Sequence, residues 1–97
     1  MRTTNEGVVN AWKRGRSAWN SRKTLHTDGE RLYSYRLHIG TRLPSDATVL
    51  GDFTAGAGGY RSQTTSCHIG LTKRSGVDLV MHPLVWSTSP MSTESQF

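Results

Sequence analysis

The segment that most constrains the fold is residues 27–39, which join a strong turn signal to the longest alternating run in the chain. Asp28-Gly29 favours a tight turn, because glycine accepts a positive φ and an aspartate side chain bonds backbone N–H groups nearby. After that turn, successive residues alternate between the two faces of an extended strand. The apolar face holds Tyr33, Tyr35, Leu37 and Ile39, and the polar face holds Ser34, Arg36 and His38. We predict one strand over about residues 31–41, with buried tyrosines and with Arg36 and His38 in solvent.

The first twenty residues carry the pattern of an amphipathic helix. Thr3, with Glu6 three residues later, matches a capping box, in which a hydroxyl and a carboxylate bond free N–H groups of the first turn. We predict a helix that ends near residue 20. At helical spacing its apolar side collects Val8, Ala11, Trp12, Gly15, Ala18 and Trp19. The residues expected to pack on the sheet are Val8, Trp12 and Trp19.

The remaining elements follow from turn residues, β-branched runs and hydroxyl caps. In chain order we predict a turn at 43–46, a strand over 48–53 paired antiparallel with the main strand, a glycine-rich hairpin loop at 55–59, a strand over 60–64, a short helix over 65–74, a strand over 77–81 and a mobile Ser/Thr-rich tail over 87–97. The predicted fold is a single α+β domain over residues 1–86. Its N-terminal amphipathic helix packs on a small three- to four-stranded, mainly antiparallel sheet, with a second short helix.

The charge is positive and unevenly placed. The net charge is +5. Residues 1–48 hold nine basic residues (Lys or Arg) against four acidic ones (Asp or Glu), whereas residues 49–97 hold three basic and three acidic residues. A basic half favours an anionic partner such as nucleic acid or an acidic protein surface, although solubility alone also accounts for it. A single cysteine excludes an internal disulfide and favours a reducing, intracellular compartment. No apolar run of about 18 residues or signal-peptide pattern is present, so we expect a soluble protein with no membrane partner.

No residue pattern in the chain indicates a catalytic, cofactor or metal site. The glycines at 55–59 lack the Gly-Lys-Ser/Thr ending of a phosphate-binding loop. Cys67 and His68 are adjacent, so on a helix they project about 100° apart and do not form a nucleophile–base pair. No Cys-x-x-Cys or His-x-x-x-His spacing is present, and Cys67 is expected to pack as a small hydrophobe. We predict a protein that is not an enzyme and has no cofactor.

Two groups of residues are candidates for contacting a nucleic acid or a protein partner. The first is a basic face that would form if the N-terminal helix lay beside the main strand: Lys13, Arg14, Arg16, Arg22, Lys23, Arg36 and Arg42, with His38 on the same outer face of that strand as Arg36. The second is a corner at the start of the second helix, with Arg61, Thr64, Thr65 and His68. Hydroxyls at a helix start contact phosphate in some proteins and cap the helix in more of them, and both roles remain open here.

Two motifs carry a resemblance to a known group of proteins. They are Thr-Asp-Gly-x-x-Leu-Tyr-Ser-Tyr-x-x-x-Ile-Gly over residues 27–40 and Ser-x-Thr-Thr-Ser-x-His over residues 62–68. Together they resemble a family of small uncharacterised proteins of tailed, cyanophage-like phages. The resemblance implies a phage accessory protein in the cytoplasm of an infected bacterium and implies no activity. The positive charge of residues 1–48, together with the absence of a catalytic pattern, favours nucleic-acid binding. Alternatives are a protein-binding inhibitor of a host defence system or host enzyme, and a minor virion component. The partner classes left open are nucleic acid, a host or phage protein, and further copies of the chain in a homo-oligomer or virion.

Overall fold

The computed structural model describes residues 1–54 and 62–88, and these residues form three helices and a six-stranded sheet. The elements are α1 (Asn5–Lys13), β1 (Ala18–Trp19), β2 (Leu25–Thr27), β3 (Arg31–Ser34), β4 (Leu37–Arg42), β5 (Thr48–Gly51), α2 (Gln63–Arg74), β6 (Leu79–Met81) and α3 (Pro83–Thr88). The strands lie in sequence order in the sheet. Each strand from β1 to β4 is antiparallel to the strand that follows it, and β6 is parallel to β5. The α+β class is confirmed. The sheet is mixed and has more strands than predicted.

Helix α1 is shorter than the apolar pattern predicts. Its N-cap is Thr4 and not the predicted Thr3, and the Thr4 hydroxyl accepts the N–H of Gly7 at 3.1 Å. The helix ends at Lys13 because Gly15 adopts a φ of 75°, a left-handed conformation that ends helices and that glycine adopts without strain. The predicted end near residue 20 is therefore wrong, and Trp19 lies on β1 instead of the helix. Val8 and Trp12 are buried as predicted.

The predicted strand over residues 31–41 is a hairpin. β3 and β4 pair with each other, and Ser34 lies opposite Leu37 across a two-residue turn at 35–36. Tyr35 opens this turn with a φ of 57° and is 47% exposed, so its predicted burial is wrong. The Asp28-Gly29 turn before β3 forms as predicted, with Gly29 at a φ of 102° and the Asp28 carboxylate accepting the N–H groups of Glu30 and Arg31.

Strand register divides the sheet into two faces, because residues paired across antiparallel strands point to the same side. The helix face, which α1 and α2 cover, carries Leu25, Leu32, Ser34, Gly40 and Leu50. The opposite face, here called the ring face, carries Trp19, His26, Tyr33 and His38. Trp86 of α3 covers its β4–β5 end by packing on Gly51 and edge-on to the His38 ring.

Two tryptophans anchor the helices to the sheet. Trp12 lies over Gly40 on the helix face and donates its indole N–H to the carbonyl of Glu30 at 2.9 Å. Trp86 donates its indole N–H to the carbonyl of His38 at 2.8 Å. Of residues 84–86, Trp86 folds onto the core. Leu84 and Val85 are exposed. Among the described residues, no helix has the length and apolar character needed to cross a bilayer.

Helix α2 begins before the position predicted from its hydroxyls. Its N-cap is Ser62, whose Oγ accepts the N–H of Thr65 at 3.1 Å, so residues 63 and 64 are helical and not part of a strand. The helix ends at Arg74, and Gly76 follows at a φ of 87°, as predicted. The glycine-rich loop predicted at 55–59 and most of the tail predicted over 87–97 fall outside the described residues.

Candidate nucleic-acid interface

Three of the predicted contact residues lie together at one end of the sheet. The turns at 20–24 and 35–36 share this end because β1 to β4 are successive antiparallel strands. The N–H of Tyr35 joins the turns by donating to the carbonyl of Thr24 at 2.7 Å. The two turns carry Arg22, Lys23 and Arg36, all exposed, and no carboxylate. We call this part of the surface, residues 20–24 with 35–36, the cationic end.

The other predicted cations lie at the opposite end of the strands. Lys13, Arg14 and Arg16 flank Gly15, whose backbone packs against Gly29 in the turn between β2 and β3. Lys13 donates to the carbonyl of Ser75 at 2.6 Å, so its ammonium group is engaged within the fold. The turns at this end also contain the acidic residues Asp28, Glu30 and Asp46. The structure therefore divides the predicted basic face into two separate groups.

His38 lies in the interior instead of on a wet face. It is 0% exposed, and its Nε2–H donates to the carbonyl of Gly40 at 2.7 Å. The predicted exposure is wrong because the hairpin turn places His38 beside Tyr33 on the ring face, where Trp86 covers it. A buried imidazole in this position has no surface to offer to a partner.

The predicted corner at the start of α2 is mostly a buried polar cluster. Ser34 Oγ lies 3.0 Å from Thr65 Oγ1 and 2.8 Å from His68 Nδ1, and all three side chains are buried. Burial lowers the pKa of His68 by disfavouring the imidazolium ion. Thr64 is exposed, and Arg61 lies outside the described residues. Ser34 and His68 have the groups of a nucleophile and a base, and the Ser34 residue is 0% exposed.

The residues that sequence reasoning missed form a row of rings on the ring face. The rings of His26 and Tyr33 stack at 5.0 Å with 12° between their planes, and Tyr33 and His38 follow at 5.4 Å. Trp19 is paired in register with His26 and continues the row onto β1, with the Lys23 ammonium 5.9 Å from its ring centroid. Trp19, His26 and Tyr33 are each half-buried. Aromatic side chains that share an open sheet face with cations are typical of surfaces that stack nucleobases.

A regular spacing carries the signal for this row. Residues 19, 26 and 33 are seven apart, and strand pairing places 19 opposite 26 and 26 opposite 33. The spacing becomes meaningful only when residues 31–41 are recognised as a hairpin, because the single-strand interpretation places Tyr33 in the core.

The described residues offer little to a metal ion. No group of three His, Cys, Asp or Glu side chains there lies close enough together to hold one. Cys67 is exposed on α2, contrary to the expected packing as a small hydrophobe, since the helix turns its Ile69 side towards the core. Comparison with protein-family models, with curated proteins and with solved structures found no match.

Proposed function

We propose that this protein binds nucleic acid, with the cationic end contacting the phosphate backbone. The observation that carries the proposal is the grouping of Arg22, Lys23 and Arg36 in two hydrogen-bonded turns that contain no carboxylate. Phosphate groups are the commonest targets of such cations, and neutralising them releases counterions, which favours binding at low salt.

The cations of this end are available to a partner. The ion pairs of Arg42 with Asp46 and of Lys73 with Asp52 lie outside the cationic end. Lys23 is held over the Trp19 ring, so its charge stands beside the ring face. A polyanion lying along this end contacts both the cations and the aromatic row. The setting we propose, from the sequence resemblance alone, is a bacterial cell infected by a phage.

The test is a binding titration of labelled DNA and RNA oligonucleotides by fluorescence anisotropy between 50 and 200 mM salt. Binding should weaken as salt rises, and each phosphate contact on a single strand contributes about 0.7 to the slope of log K against log salt concentration. The double variant Arg22→Gln/Arg36→Gln should reduce that slope by about 1.4.

The matched control is Arg14→Gln/Arg16→Gln, which removes the same charge from the opposite end of the strands. It should leave affinity close to that of the unmodified protein. Absence of binding to every oligonucleotide at low salt would refute nucleic-acid binding. Equal losses in the two double variants would show that net charge alone drives the association and that the cationic end is not the contact.

A further inference from the structure

We propose that a cavity lined by Trp19 and His26 receives one unpaired nucleobase, so that the protein prefers single-stranded nucleic acid to duplex. This inference rests on the nucleic-acid binding proposed above and names the form of nucleic acid and the residue that selects it.

The row of rings is closed at one end and open at the other. At the closed end the His38 ring meets Trp86 at 5.1 Å, and both side chains are 0% exposed. At the open end the His26 ring stacks on Tyr33, and its other side faces β1. The rings from His26 to Trp86 lie at contact spacing and leave no gap for another ring, so the end of the row on the β1 side of His26, where Trp19 lies, is the end open to a ligand.

A cavity of about 350 Å³ lies at this open end, within the range of small-ligand sites. Its lining includes Trp19 and His26 from neighbouring strands, with Lys23 and Asp28 from the turns at the two ends of β2. Two aromatic side chains and a cation are the groups that stack a base and hold its phosphate. A base within a duplex has both faces stacked on its neighbours, so only an unpaired base enters such a cavity.

The charges around the cavity suit a nucleotide. Lys23 belongs to the cationic end, and Arg2 pairs with Trp19 at the outer edge of β1 and is exposed. Asp28 is the acidic residue in the lining. Its carboxylate accepts the N–H groups of Glu30 and Arg31, and the positive charge of Arg31 offsets its own. The anionic phosphate is thus drawn to the Lys23 end of the cavity.

Trp19 gives the proposal a direct spectroscopic readout. The chain has three tryptophans, and Trp12 and Trp86 are both 0% exposed, whereas Trp19 is half-buried at the cavity. Stacking of a base on Trp19 should quench its fluorescence on addition of a single-stranded 12-mer. The same 12-mer annealed to its complement should produce a much smaller change.

The experiment compares the unmodified protein with Trp19→Leu and Trp19→Phe. Base–aromatic stacking predicts that Trp19→Leu weakens single-strand binding about 5- to 150-fold, with duplex binding and the salt slope unchanged. Trp19→Phe keeps a stacking surface and should retain most of the affinity. Circular dichroism shows whether each variant folds. If Trp19→Leu does not fold, the fluorescence quenching of the unmodified protein by the single-stranded 12-mer tests the proposal instead.

Each outcome separates this inference from the proposed function. Quenching by the single strand together with selective loss in Trp19→Leu supports the inference. Equal affinity for single strand and duplex, with no quenching, overturns the inference and leaves nucleic-acid binding in place. If no oligonucleotide binds at low salt, the proposed function and the inference both fall.

Discussion

The hydroxyl of Ser34 lies 2.8 Å from Nδ1 of His68, and this contact joins the last residue of β3 to the second turn of α2. Thr65 Oγ1 completes the cluster at 3.0 Å from the same hydroxyl and accepts a hydrogen bond from Ser62 Oγ at 3.1 Å. The four polar side chains satisfy one another between the sheet and the helix. Buried polar groups stay hydrogen-bonded because an unsatisfied one costs more than the bond contributes.

Replacing Ser34 with alanine should therefore destabilise the fold. The substitution removes a partner from both Thr65 and His68 in a buried site, which costs about 1–3 kcal/mol of unfolding free energy. Urea denaturation measures the loss. Ser45→Ala, in an exposed turn, is the control and should change the free energy of unfolding by less than about 0.5 kcal/mol. A Ser34→Ala protein as stable as its parent would contradict the importance of this cluster.

Stability should fall as the pH drops below neutrality because of His68. Burial lowers its folded-state pKa below the ordinary value of 6.5, so between these two pKa values the unfolded chain binds more protons than the folded one. The contribution of neutral His68 to the free energy of unfolding is therefore fully present above about pH 6.5 and is lost as the pH falls towards the folded-state pKa. Urea midpoints measured from pH 7.5 to 5.5 should decrease.

The histidine responsible can be identified by a matched pair of asparagine variants. His68→Asn should flatten the decrease in urea midpoint between pH 7.5 and 5.5. His82→Asn, at an exposed position where asparagine can still accept the N–H of Leu84, should retain it. The opposite pattern would assign the pH dependence to a residue outside the Ser34 cluster.

Two glycines should respond in opposite directions to alanine. A Cβ at Gly51 would lie 2.6 Å from Cδ1 of Trp86 and 2.9 Å from Cε2 of Phe53, so Gly51→Ala overpacks the core and should cost about 1–3 kcal/mol. A Cβ at Gly70, inside α2, would meet only the end of Arg74 at 3.4 Å, so Gly70→Ala should stabilise the protein by about 0.5–1 kcal/mol. Thermal unfolding of the two variants tests both signs, and destabilisation by Gly70→Ala would be inconsistent with this packing.

Gly15 should tolerate alanine poorly. Its φ of 75° costs a residue with a Cβ about 1–2 kcal/mol. An added Cβ would also lie 2.4 Å from Nη2 of Arg42, which donates its Nε–H to the carbonyl of Gly29. Asparagine is accommodated better than alanine at positive φ, so Gly15→Asn should be the more stable of the two variants. Equal thermal midpoints for both would argue against a left-handed conformation here.

The turn before β3 should weaken in acid through Asp28. Burial alone would raise the pKa of this carboxylate, but the N–H groups of Arg31 and Glu30 and the charge of Arg31 lower it below the ordinary value of 3.8. The contribution of the ionised Asp28 carboxylate to the free energy of unfolding is present above pH 3.8 and is lost as the pH falls through the folded-state pKa. Asp28→Asn should remove this part of the acid dependence, and Asp28→Ala should also cost about 1 kcal/mol at neutral pH by leaving two N–H groups without their acceptor.

The control for this turn is Glu30→Gln, which changes the net charge equally and removes no acceptor from the backbone. Urea midpoints between pH 5 and pH 2.5 compare the variants. If Glu30→Gln flattened the acid limb as much as Asp28→Asn, net charge and not the turn would be responsible.

Local chemistry in the sequence was sufficient for part of this fold. The hydroxyl cap near residue 4, the Asp28-Gly29 turn and the stop of α2 at Arg74 before Gly76 follow from residue types within a few positions of each other. These features depend on backbone N–H groups and φ angles that neighbouring side chains determine. The α+β class and the burial of Val8 and Trp12 likewise follow from hydrophobic spacing.

The tertiary structure decided those features of the fold that depend on contacts between residues distant in the chain. Nothing local marks Tyr35 as a turn residue, and its φ of 57° is accompanied by the bonds to Thr24 and to the side chain of His26, which come from another hairpin. That turn moves Tyr33 to the open ring face, buries His38 under Trp86 and brings Arg36 beside Arg22 and Lys23. Sequence alone therefore established a basic α+β domain, while its strand pairing determined which cations and which rings share a surface, because register depends on contacts between residues distant in the chain.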